Sequence, residues 1–140
     1  MVSIASANAL IVGDLVHHKA HAWLEGGIVN GKPTPTISSW IQSLENLSLA
    51  FGRENPIVFG GRGDAVALNI ALPEQIAYLK SADKTVETYV KSLGDRRIEL
   101  SGPNAAGHFE KIQKELETQF PNYSLSYMIL YGVYGLALSK

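Results

Sequence analysis

The chain contains no cysteine. Disulfides, thiolate metal sites and cysteine nucleophiles are therefore excluded. The expected location is the cytoplasm, where an absence of disulfides is the rule. Charge bias is also missing. Twelve basic residues face 13 acidic ones, for a formal net charge of −1. No global field draws such a chain to nucleic acid or to an anionic membrane. No run of about 18 uncharged apolar residues occurs, so no membrane span is expected. The N-terminus has no basic stretch before its apolar run, which soon meets Gly13-Asp14, so no signal peptide is expected. There is no G-x-S-x-G string for a nucleophilic serine elbow. The carboxylates are scattered and offer no glycosidase-like pair. Repeats and low-complexity stretches are absent too.

What is present suits a single domain over 1–140 with an ordinary core. The chain has 140 residues, 46% of them hydrophobic and 18% charged. Ala9 to Val16 reads as a buried strand that stops at or just beyond Gly13-Asp14. A loop-like stretch with five Gly and Pro residues follows. Thr36 is a suitable N-cap, and Ile37, Trp40, Ile41, Leu44 and Leu47 then fall at helical spacing up to Gly52. Pro56 to Phe59 reads as a second strand, running into Gly60-Gly61-Arg62-Gly63-Asp64. Pro73 suits the first turn of another helix, whose stripe includes Ile76, Leu79, Val86, Val90 and Leu93, with Gly94 as its stop. A polar link around Arg96-Arg97 leads to a helix with Phe109, Ile112, Leu116 and Phe120 as its stripe, ended by Pro121. Tyr123 to Leu138 is apolar on nearly all sides and reads as a packed helix. Two strands cannot make a stable sheet alone. Residues 1–4 and 66–71, or a partner, must add to it.

Three stretches invite chemistry. Gly26 to Lys32 fits G-x-x-x-x-G-K. However, Pro33 stands where Mg²⁺ binding needs Ser or Thr, and Ala22 to Glu25 is a poor strand, so a turn is expected. His17, His18 and His21 cluster, with Asp14 near in sequence. A closed zinc site needs about four ligands, and His108 is the one further histidine, so ordinary loop histidines are expected. Arg62-Gly63-Asp64 is a tripeptide common by chance. Its flanking glycines let backbone approach something closely.

Together, two of these stretches resemble the second half of metallo-β-lactamase-fold hydrolases. Ala9 to Leu24 resembles that family's strand ending in Gly-Asp, whose aspartate bridges two metal ions, and the His21-Ala22-Trp23-Leu24 loop of some branches. Trp40 to Leu44 is similar to the following helix. Val58-Phe59-Gly60-Gly61-Arg62-Gly63 resembles the strand and Gly-His-Gly turn whose histidine ligates metal. Phe120-Pro121-Asn122-Tyr123 and the helical tail are similar to the end of one branch. The family's His-x-His-x-Asp-His motif is absent, and Arg62 replaces the turn's histidine. A guanidinium only donates and cannot ligate a cation. Asp14 is the one inherited metal position, and one carboxylate cannot hold a catalytic zinc.

The resemblance thus implies an α/β (α+β) fold: a partial sandwich with one small sheet covered by helices and a helical C-terminus. It implies a protein without metal-dependent hydrolase activity on its own. No cofactor is expected, and zinc only if ligands come from elsewhere. Arg62 is expected to neutralise Asp14 as a buried pair. Half a sandwich would expose an apolar sheet face, so a homodimer is expected. Two alternatives stand beside this. One is half of a hydrolase, completed by another chain or segment. The other is a small-molecule binding module lined by Asp14, His17, His18, His21, Trp23 and Arg62.

Overall fold

The computed structural model describes residues 1–24 and 27–140. The protein is of α+β type, with one small four-stranded sheet covered by helices. Its residues cluster into two compact units. One holds Met1–Ala20 and Ser38–Leu79, the other His21–Ile37 and Lys80–Lys140.

The first unit carries the sheet. Strands β1 (Val2–Ile4), β2 (Ala9–His18), β5 (Ile57–Gly63) and β6 (Val66–Ala67) lie in the order β1-β2-β5-β6. β1 and β6 are therefore the added strands that the sequence called for. β2 and β5 run parallel, and helix α1 (Ile37–Phe51) lies between them in the chain. Parallel neighbours require such a crossover. Strand alternation sorts the side chains. Leu10, Val12 and Val58 are buried, while Ile11, Ile57 and Phe59 are exposed.

β2 does not stop near Gly13-Asp14 as expected. Gly13 takes φ +57° and sits at an irregularity of the ladder, so the strand bulges and continues to His18. His17 and His18 are consequently buried strand residues rather than loop histidines.

Helix α2 (Leu68–Leu93) begins five residues earlier than expected, with Pro73 inside it. Proline lacks the N–H that would bond the Asn69 carbonyl, so its place is unusual. The start is held from outside the local sequence. The Leu68 N–H donates to the Pro56 carbonyl at 2.9 Å, and the Asn69 N–H to Asn55 Oδ1 at 2.9 Å. Those bonds satisfy donors that a helix start leaves open.

The second unit includes a hairpin of β3 (Gly27–Val29) and β4 (Lys32–Thr34). Asn30 and Gly31 turn it with φ of +52° and +74°. A turn of that hand matches strand twist, and Asn-Gly is its favoured sequence. Most of the phosphate-loop-like segment is thus hairpin, and Gly26 lies outside the described residues. A 3₁₀ helix over Gly94–Ser101 occupies the expected polar link. Helix α3 (Ala105–Gln119) buries Phe109, Ile112 and Leu116, as its stripe implied. The tail forms two short helices, α4 (Tyr127–Gly132) and α5 (Tyr134–Leu138), rather than one. Nor is it apolar all round in effect: Met128, Ile129 and Leu136 point inward, whereas Tyr127, Tyr131 and Tyr134 are exposed. Among the described residues, no helix is long and apolar enough to cross a membrane.

Candidate functional site

Parallel pairing brings the C-terminal ends of β2 and β5 side by side, with His17 opposite Arg62 and His18 opposite Gly63. Arg62 Nη1 donates to Asp14 Oδ1 at 3.2 Å across 48 positions of sequence. Glycine makes this closeness tolerable. A Cβ at Gly61 would run into Asp14 Oδ1, and one at Gly63 into the His18 carbonyl. Gly63 also holds φ +79°, which L side chains resist. The glycines flanking Arg62 do serve close backbone approach.

The expected pairing of Asp14 with Arg62 is present, but its character differs. The Asp14 side chain is 75% exposed, and a single contact replaces a two-pronged fork. The ladder is irregular on both sides of Gly13, and Asp14, next in the chain, faces solvent rather than the core.

His17 stands behind this pair and is 3% exposed. Its ring meets Trp40 edge-on, with centroids 5.9 Å apart. Its backbone N–H donates to Gln75 Oε1 at 2.8 Å. Burial pushes its pKa below the usual histidine value, and the Arg62 charge adds to that. The Asp14 charge and a hydrogen bond to the Asp14 backbone work the other way. The ring therefore favours its neutral form. His17 Nδ1 and Gln75 Nε2 are buried without a hydrogen-bond partner among the described residues. Trp40 is fixed in turn, because its Nε1–H donates to the Leu15 carbonyl at 2.7 Å.

His18 turns to a different partner. Its Nδ1 lies 3.1 Å from Glu74 Oε2, though not aligned as a hydrogen bond. His21 and Trp23 belong to the second unit. The His21 N–H donates to the Ser124 carbonyl at 2.9 Å, and its ring packs on Tyr123 and Phe120. Burial lowers its pKa, opposed by the Glu117 charge. Trp23 is half-exposed. Of the six expected lining residues, Asp14, His17 and Arg62 thus form one group. His18 faces α2, and His21 and Trp23 belong to the second unit.

Trp40, Glu74 and Gln75 complete the surroundings and were not expected there. A sequence signal existed for Gln75. It lies between Leu72 and Leu79 on the buried side of α2, and a polar residue on such a stripe needs a partner. Among the described residues, no group of three or more His, Asp or Glu is placed to hold a metal ion. Asp14 and Arg62 together do not suit zinc as a donor set, because a guanidinium offers no lone pair.

A second polar chain lies in the second unit. His108 Nε2 is 2.9 Å from Glu99 Oε2, and His108 Nδ1 is 2.8 Å from the Tyr89 hydroxyl. If Glu99 accepts from Nε2–H, Nδ1 is left to accept from Tyr89. Burial raises the Tyr89 pKa, so the phenol keeps its proton. The arrangement ties the 3₁₀ helix, α2 and α3 together.

No family model, curated protein or solved structure matches this chain.

Proposed function

We propose that the chain is a non-hydrolytic relative of the metallo-β-lactamase fold, corresponding to its second half. Its inherited metal position is closed by an ion pair, and it acts as a binding or regulatory protein in the form of a homodimer. One observation carries this reading. Asp14 and Arg62 are the two positions that the resemblance assigns to metal ligation, and they meet at 3.2 Å on neighbouring parallel strands. That closeness supports the reading, because the resemblance gives both positions to metal ligation. The cation at one of them occupies the carboxylate of the other. A permanently protonated guanidinium neutralises Asp14 without offering a lone pair for metal or a base for water.

Zinc titration followed by native mass spectrometry tests the reading. Neither the natural chain nor Arg62→His should take up stoichiometric zinc, because one added imidazole still leaves too few ligands. One zinc retained per chain, in either protein, would refute it.

A small-molecule site is the second reading. It is favoured by the unpartnered buried His17 Nδ1 and Gln75 Nε2. A ligand with both an acceptor and a donor would satisfy both atoms. A thermal-shift screen of small polar metabolites checks it, and a hit abolished by Gln75→Leu would support this reading.

A further inference from the structure

The turn between β3 and β4 sets a side-chain amide beside a backbone nitrogen that can react with it. Asn30 and Gly31 are its two loop residues, and both are exposed. In such a hairpin the ladder is closed by the flanking residues, here Val29 and Lys32, so the Gly31 N–H stays outside it. A Cβ placed on Gly31 would meet nothing beyond its chain neighbours within 4 Å. Solvent and its hydroxide therefore reach the Asn30–Gly31 peptide.

The hairpin also holds this turn weakly. Its ladder is two-stranded and spans three pairs, Gly27↔Thr34, Ile28↔Pro33 and Val29↔Lys32. A two-stranded ladder is marginal by itself, and Pro33 has no N–H to give to it. The turn can thus open and let its own groups meet.

The other asparagines are differently placed. The Asn8 side chain donates to the Glu54 carbonyl at 3.2 Å. Asn46 lies inside α1, where the following amide belongs to the helical ladder. Asn55 precedes Pro56, which has no N–H, and its Oδ1 holds the Asn69 N–H. Asn69 precedes the branched Ile70, which crowds any attack. After Asn104 and Asn122, the Ala105 N–H is tied to the Gly102 carbonyl and the Tyr123 N–H to the Phe120 carbonyl.

We propose that Asn30-Gly31 is a site of spontaneous covalent modification, passing through a cyclic imide to isoaspartate. Hydroxide removes the Gly31 amide proton, and the nitrogen attacks the Asn30 side-chain carbonyl carbon. The bond from Gly31 N to Asn30 Cγ forms and the Cγ–Nδ2 bond breaks. Nδ2 takes a proton from water and leaves as ammonia. Water then opens the ring. Breaking the new bond gives aspartate, and breaking the original peptide bond gives isoaspartate. Water is the one co-reactant, and nothing is oxidised or reduced. Isoaspartate lengthens the main chain by a methylene and adds a carboxylate beside Lys32. The turn needs left-handed backbone at Asn30, φ +52°, which a residue linked through its side chain does not supply. The change therefore opens the β3–β4 hairpin, and it runs one way.

Incubation of the full chain in mildly alkaline buffer, followed by peptide mass spectrometry, tests this. Asn30 should gain about 1 Da at least about tenfold faster than any other asparagine. The rate should rise with pH, since attack needs the deprotonated Gly31 nitrogen. Enzymatic methylation specific for isoaspartate should label the product. Asn30→Gly keeps a favoured hairpin pair and removes the reacting side chain, so labelling should vanish with circular dichroism unchanged. Conversion of Asn30 no faster than that of the other asparagines would overturn the proposal. So would conversion to aspartate alone, which marks direct hydrolysis without attack by Gly31.

Discussion

Arg62 reaches Asp14 through one guanidinium nitrogen at 3.2 Å, from the strand beside it, while most of the carboxylate remains in water. Such a pair sets local charge more than it stabilises the fold. Exposed ion pairs contribute about 0–1 kcal/mol. Asp14→Asn and Arg62→Gln should therefore each change unfolding free energy by less than about 1 kcal/mol. Urea denaturation measures this, and a loss above about 2 kcal/mol would show the pair to be structurally important.

Two glycines predict different costs. Gly63→Ala meets both a left-handed φ and the His18 carbonyl, so about 3 kcal/mol or outright misfolding is expected. Gly13→Ala meets strain but open space, and should cost about 1 kcal/mol. Denaturation midpoints of the two variants should rank in that order, and the reverse order would contradict the strand geometry.

Stability should rise with pH through the histidine range. Burial holds the pKa of both His17 and His21 below the ordinary histidine value of about 6.5 in the folded chain. Between the lowered folded value and about 6.5, the unfolded chain binds more protons, so acid favours unfolding there. The contribution is fully present above 6.5 and is lost as pH falls through that window. Nuclear magnetic resonance titration should place the His17 midpoint below 6.5, and a midpoint at or above 6.5 would sink the account.

Tyr89→Phe deletes the hydroxyl facing His108 Nδ1 and leaves a buried ring nitrogen unsatisfied. A cost of about 1–3 kcal/mol is expected. Glu99→Gln keeps an acceptor for Nε2–H and should cost less. Thermal melts of the two variants decide the comparison.

The helices were largely legible in the sequence because their stripes are local. Leu44, Leu79, Ile112 and Leu116 recur at helical spacing, and all are buried. The start of α2 was not legible, since its first donors are satisfied by Asn55 and Pro56, well upstream. The extension of β2 was hidden because a glycine looks the same whether it ends a strand or bulges one. The Asn30-Gly31 hairpin did carry a local signal, masked by its likeness to a phosphate loop. Within the site, Asp14 and Arg62 could be paired through the resemblance. Trp40 and Glu74 could not, and Gln75 showed only as a polar residue on a buried stripe, because periodicity places residues on a face without saying what that face meets.

The parallel pairing of β2 with β5 also bears on how the chain folds. Ala9 must find Ile57 across a long intervening segment before the central ladder exists. Closing that loop costs entropy before any contact rewards it, whereas the β3–β4 hairpin and the helices form locally. The sheet should therefore be the slow step of folding. Until it closes, the apolar residues of β2 and β5 are open to strands of other molecules, so refolding yield should fall as protein concentration rises.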